Sequence, residues 1–86
     1  DVTSYIQRMQ DMETLIKKHE GVADVYVLQA GREIRVIVNP EALNDEQTTM
    51  LCEKVRDDLA QHFSMIPGQL KVTAVREFRT VAKTRN

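Results

Sequence analysis

Two short runs rich in β-branched residues flank a lone glycine, and this arrangement constrains the fold more than any other feature. Residues 22–30 read as a strand with Val25, Tyr26, Val27 and Leu28 at its centre. Gly31-Arg32 fits a two-residue hairpin turn of the Gly-X type. The return strand covers residues 33–38, where alternation puts Ile34, Val36 and Val38 on one face and Arg35 and Ile37 on the other. Asn39-Pro40 ends it, because proline has no N–H to give the ladder. A strand pair with one apolar face needs a second layer to cover it.

The flanking segments supply that layer. Tyr5, Met9, Met12 and Ile16 recur at spacings of four, three and four, so they share one helical face, which Ile6 and Leu15 widen. Thr3 or Ser4 can cap this helix. Gly21 stops it, after Lys17, Lys18 and His19, whose positive charge suits a helix C-terminus. The repeat is too short for a coiled coil, so packing on a sheet is the expected use. A second helix begins at Asn44 or Asp45. Asn44 and Gln47 have capping-box spacing, and Asp45 and Glu46 favour the helix start. Leu51, Val55, Leu59 and Phe63 form its buried row, and Glu53, Lys54, Arg56, Asp57 and Asp58 its solvated face. Pro67-Gly68 breaks the chain. Residues 70–76 form a third strand, with Leu70, Val72 and Ala74 on one side and Val75 on the other. Beyond Glu77 the periodicity fades, and residues 78–86 read as a flexible tail.

The order helix-strand-strand-helix-strand predicts an α+β fold: a two-layer sandwich with a three-stranded sheet and two helices on one face. The first two strands pair antiparallel. The helical crossover makes the third parallel to the second, through a right-handed connection. Its place, beside the second strand or beside the first, stays open. The uncovered sheet face is the expected partner surface.

The 86 residues make a single domain, residues 1–86. A chain this short buries only ~60% of its unfolded surface, so association with another copy or a larger body is expected. No stretch reads as a membrane span or signal peptide. Cys52 is the single cysteine, and a cytoplasmic setting fits. The chain starts at Asp1, as an excised fragment would. Net charge is −1, unevenly spread. Residues 71–86 carry five basic side chains against Glu77 alone, a stretch able to touch RNA phosphates or to stay solvated.

No catalytic set emerges. His19 and His62 are the only histidines, each near a helix end, and there is no His-Asp dipeptide. Cys52 and His62 are ten residues apart, so at ~100° per residue they face different ways and cannot share a metal. Cys52, next to the Leu51 row, reads as a small core or boundary residue. Gly21, Gly31 and Gly68 are isolated, which excludes a phosphate loop. The Asp57-Asp58 pair lies on the polar helix face. Two constellations remain: Arg32, Glu33 and Arg35 at the hairpin, and Arg76, Glu77 and Arg79 after the third strand. Each offers planar forks for RNA phosphate or for a partner's carboxylates. Equally, Glu33 and Glu77 can bridge their neighbouring arginines. Of Tyr5, Tyr26, Phe63 and Phe78, only Tyr26 sits in mid-strand, where a base could stack.

The block Gly31-Arg32-Glu33-Ile34-Arg35-Val36 is followed, after a helix, by Pro67-Gly68-Gln69-Leu70-Lys71-Val72-Thr73-Ala74-Val75-Arg76-Glu77. Together they resemble the C-terminal end of the bacterial ribonuclease Y family, which reads there as AIQAGREIRV and then PGQIKVTVIRE. Tyr5-Ile6-Gln7-Arg8 resembles the family's YIKRL, Glu20-Gly21-Val22 its FEGV, and residues 76–81 its RETRAV. His19, Ile66, Phe78 and Thr80 depart from those patterns. The resemblance runs from about residue 5 to about residue 81. It implies a parent that is a membrane-anchored endoribonuclease initiating messenger RNA decay. That parent has an N-terminal membrane helix, a coiled coil, a KH domain and a metal-dependent HD domain. The divalent metal belongs to the HD domain, and no catalytic, cofactor or metal residue carries over here. For this segment the resemblance implies a non-catalytic assembly or regulatory module without membrane contact of its own. It would form a homodimer or dock on the parent HD domain, and any RNA contact would be weak. The element order also resembles the cytoplasmic dimerisation domain of cation diffusion facilitator transporters. A direct RNA-binding module, resting on the arginines, is the third reading.

Overall fold

The computed structural model describes residues 2–65 and 68–86. Helix α1 covers Val2–Lys17, strand β1 Val22–Leu28, strand β2 Glu33–Val38, helix α2 Asp45–His62 and strand β3 Lys71–Arg76. The sheet order is β1-β2-β3, with β1 antiparallel and β3 parallel to β2. The third strand therefore lies beside β2, which becomes the centre of a mixed sheet. Residues 77–86 hold no helix or strand. Ile66 and Pro67 lie outside the described residues, and with them half of the expected chain break.

Alternation on β2 builds the core. Ile34, Val36 and Val38 are each 0% exposed. They pack with Met12 and Ile16 of α1, Val25 of β1, and Leu51, Val55 and Leu59 of α2. Both helices thus cover one face, because only that face of the central strand is apolar throughout. No helix among the described residues is long and apolar enough to cross a membrane.

The start of α2 forms as its sequence dictates. The Asn44 side chain accepts from the Gln47 backbone N–H at 2.8 Å, and the Gln47 side chain accepts from the Asn44 N–H at 2.9 Å. Two N–H groups that the helix cannot satisfy itself are thereby paired. Asn44→Ala removes one of these bonds. It is expected to cost about 1 kcal/mol, read as a lower urea midpoint at unchanged slope. An unchanged midpoint would show that the box contributes nothing.

Several local expectations need correction. Strand β1 ends at Leu28, not at residue 30, and the turn is longer than the two residues Gly31-Arg32. Leu28 still pairs with Glu33, so residues 29–32 all lie in the loop. Gln29, Ala30 and Gly31 take φ values of 51°, 58° and 85°, and the Arg32 N–H returns to the Gln29 carbonyl at 3.2 Å. A left-handed backbone costs a residue with a Cβ roughly 1–2 kcal/mol, so two such residues in succession are held by their surroundings. Gly31 shows how. A Cβ there would lie 3.0 Å from Met9 Cε and 3.1 Å from Met12 Sδ, so α1 presses directly on the turn.

Helix α1 already includes Thr3 and Ser4, so neither is its cap. It ends at Lys17, where the Lys18 and His19 N–H groups bond back to Leu15 and Ile16. Gly21 serves the following turn instead. Its φ is +89°, and an added Cβ would lie 2.6 Å from Leu43 Cγ. Only the C-terminal half of α1's apolar stripe is buried. Met12 and Ile16 are covered, whereas Val2, Tyr5 and Ile6 are 74%, 50% and 49% exposed. The hairpin tip meets the helix at Met9 and Met12, and the apolar residues of the earlier turns stay exposed.

Candidate functional site

Register decides which expected residues meet. On the uncovered sheet face, Leu28, Glu33 and Lys71 form one cross-strand row, and Tyr26, Arg35 and Thr73 form the next. Asp24, Ile37 and Val75 complete the face. Glu33 and Arg35 are therefore neighbours on one strand face, 3.7 Å apart, and Tyr26 lies beside Arg35. Arg32 stays at the turn, its Nε donating to the Gln29 carbonyl at 3.0 Å.

The second constellation lies at the other end of the sheet. Arg76 pairs with Val38, five residues along β2 from Glu33, which is about 17 Å at ~3.3 Å per residue. The two groups do not form one site. The second group also divides. Arg79 and Glu77 form an ion pair with each other. Arg76 turns toward the helix layer and serves the loop between β2 and α2. It donates from Nε to the Leu43 carbonyl at 2.6 Å and from Nη2 to the Pro40 carbonyl at 2.7 Å, and its Nη1 lies 3.4 Å from the Asp45 carboxylate. Glu33 and Glu77 each bridge a neighbouring arginine, as the pairing alternative expects.

Two functional-looking residues escape a reading of the sequence. Asp58, assigned to the solvated face of α2, is half-buried, with its Oδ2 2.9 Å from His19 Nε2. The contact ties the end of α1 to α2 across 39 residues of sequence, so periodicity within α2 gives no sign of it. Arg8 is the second. Its Nη2 donates to the Ser64 carbonyl at 2.7 Å, and its guanidinium lies over the Phe63 ring, 5.4 Å from the centroid. Phe63 is accordingly half-buried as the C-cap of α2 rather than a full member of the buried row.

Charge elsewhere is surface charge. Glu13 holds Lys17 above its ordinary pKa through a hydrogen bond and then through its charge. Asp57 acts on Arg56 in the same way. Both cations are exposed, so these pairs belong to helix surfaces. Cys52 donates its S–H to the Val72 carbonyl at 3.3 Å, which makes it a bridge between α2 and β3. Among the described residues, no group of three or more His, Cys, Asp or Glu could hold a metal ion.

Comparison with known proteins gives one consistent match. The chain is 46% identical over 79 residues to ribonuclease Y of Lactobacillus johnsonii, covering 92% of this chain and 14% of that protein. It is 45% identical over 78 residues to ribonuclease Y of Nitratidesulfovibrio vulgaris, covering 91% and 15%. For ribonuclease Y of Aquifex aeolicus the identity is 42% over 78 residues, covering 91% and 14%. The chain thus spans about one-seventh of the length of these relatives, and it matches a C-terminal fragment of ribonuclease Y. No family model matches, and neither does any solved structure.

Proposed function

We propose that this chain is a non-catalytic assembly module of a ribonuclease Y-like protein, and that it acts by self-association. The observation that carries this reading is the bare stripe on α1. Val2, Tyr5 and Ile6 lie exposed on one helical face, and apolar area left in water favours a covering partner. The open sheet face, with Tyr26 42% exposed beside Arg35, is a second partner surface. In this reading Arg76 is scaffolding for the loop it binds, and Arg32, Arg35 and Arg79 are the arginines left for contacts. The HD domain of the parent, with its divalent metal, carries the RNA cleavage. The parent's membrane helix anchors the assembly, and this segment lies on the cytoplasmic side. The match to ribonuclease Y favours this reading over a transporter dimerisation domain.

Light scattering across a range of concentrations tests it. The monomer is 9.9 kDa, and the expected result is a concentration-dependent rise toward twice that mass. Ile6→Lys places a charge in the stripe on an already exposed site, so it should return the chain to the monomer without unfolding it. A 9.9 kDa species at every concentration would overturn self-association. Docking on the parent's HD domain would then be the form of assembly to examine.

A further inference from the structure

We infer that a cleft between α1, the hairpin turn and the segment leaving α2 is a binding site for a phosphate group. The chain has seven arginines. Arg35, Arg56, Arg76 and Arg79 each have a carboxylate within 4 Å. Of the other three, Arg85 lies in the terminal stretch, whereas Arg8 and Arg32, which make no such pair among the described residues, line this one cleft. The remaining walls are residues 30–31 of the turn and residues 64–65 and 69–70 after α2, with no carboxylate among them. Two arginines lining one small space, neither with a carboxylate within 4 Å among the described residues, favour an oxyanion there.

The two side chains are also held in place. Arg8 is anchored through Nη2 to the Ser64 carbonyl and lies over Phe63. Arg32 is anchored through Nε to the Gln29 carbonyl. A guanidinium carries five N–H donors, so each anchored group keeps donors for a ligand, and its rotamer entropy is already spent. The unusual turn has a role here. The left-handed residues 29–31 bring the Gln29 carbonyl back under Arg32, which a two-residue turn would not do. The cleft measures about 150 Å³. That is room enough for a phosphoryl group with its oxygens against the two arginines. Planar forks that match phosphate oxygens in pairs make arginine the fitting residue for such a ligand. The phosphate arrives either free or carried on an RNA strand. The site does not depend on self-association.

Amide chemical shifts of the 86-residue chain, followed by NMR while inorganic phosphate is added, test the proposal. Residues 30–32, 64–65 and 69–70 should shift together and saturate. Arg32→Gln should weaken binding about tenfold, and Arg8→Gln/Arg32→Gln should abolish it. Arg32→Lys keeps the charge but loses the fork, so it should stay well below the parent chain. It also serves as a folding control, because Arg32 is exposed. A second titration uses a short single-stranded RNA with the same readout. If RNA shifts the same amides at lower concentration than inorganic phosphate, the strand is the source. If inorganic phosphate alone does so, the source is free phosphate. Shifts confined to residues 83–86, or an affinity unchanged by Arg32→Gln, would overturn the site. Shifts produced by an oligoglutamate peptide and not by phosphate would overturn it as well.

Discussion

Ile34→Ala is expected to lower the unfolding free energy by about 4 kcal/mol. Ile34 is 0% exposed on the central strand and belongs to the cluster that joins both helices to the sheet. Truncation removes three buried carbons and leaves a cavity that neighbours on two layers cannot close at once. At the usual stability per residue, 86 residues carry roughly 4–13 kcal/mol in total, so the variant approaches the edge of folding. Urea unfolding followed by circular dichroism gives the number. Ile37→Ala, one register position from Val38 but on the opposite face, is the control and should cost under about 1 kcal/mol. Equal losses at both positions would mean that the core does not lie on the face assigned to it.

Arg76→Ala should follow with a loss of about 2–3 kcal/mol. Hydrogen bonds from a charged donor contribute about 1.5–3 kcal/mol each, and Arg76 bonds the Leu43 and Pro40 carbonyls as well as approaching Asp45. The sum is discounted because the side chain is 34% exposed and water can replace part of what is lost. Arg79→Ala breaks only its ion pair with Glu77 and should change stability by less than about 0.5 kcal/mol. The pair of variants separates scaffold from contact. If Arg76→Ala left the urea midpoint unmoved while weakening a partner, Arg76 would be a contact and the loop assignment would fail.

What could be read from the sequence was what is local. The capping box at Asn44 and Gln47 is set by three residues of spacing. The alternation of Ile34, Val36 and Val38 needs only the strand period. The parallel pairing of β3 follows from the helix between it and β2. What escaped depends on tertiary contact. Gln29 and Ala30 carry no compositional mark of a left-handed turn, because Met9 and Met12 help to hold that turn in place. The i, i+4 pattern puts Tyr5 and Ile6 on the same face as Ile16, but the pattern does not say where the sheet ends. Asp58 looked solvated because its partner His19 is distant in sequence. The same holds for Arg8 with Ser64 and for Arg76 with Leu43. Register places the two arginine constellations at opposite ends of the sheet, a separation that chain spacing does not state.

The mixed sheet also orders events in time. Strands β1 and β2 meet by closing only residues 29–32, whereas β2 and β3 must close residues 39–70. Loop-closure entropy rises with length, and hairpins form within microseconds. The central strand therefore gains its antiparallel neighbour first and its parallel one last. A ribosome delivers the elements in that same order, N-terminus first. Until β3 emerges, β2 has a bare edge of unpaired N–H and C=O groups, open to pairing with any neighbouring chain. The interval before the last strand arrives is when wrong pairings would be made.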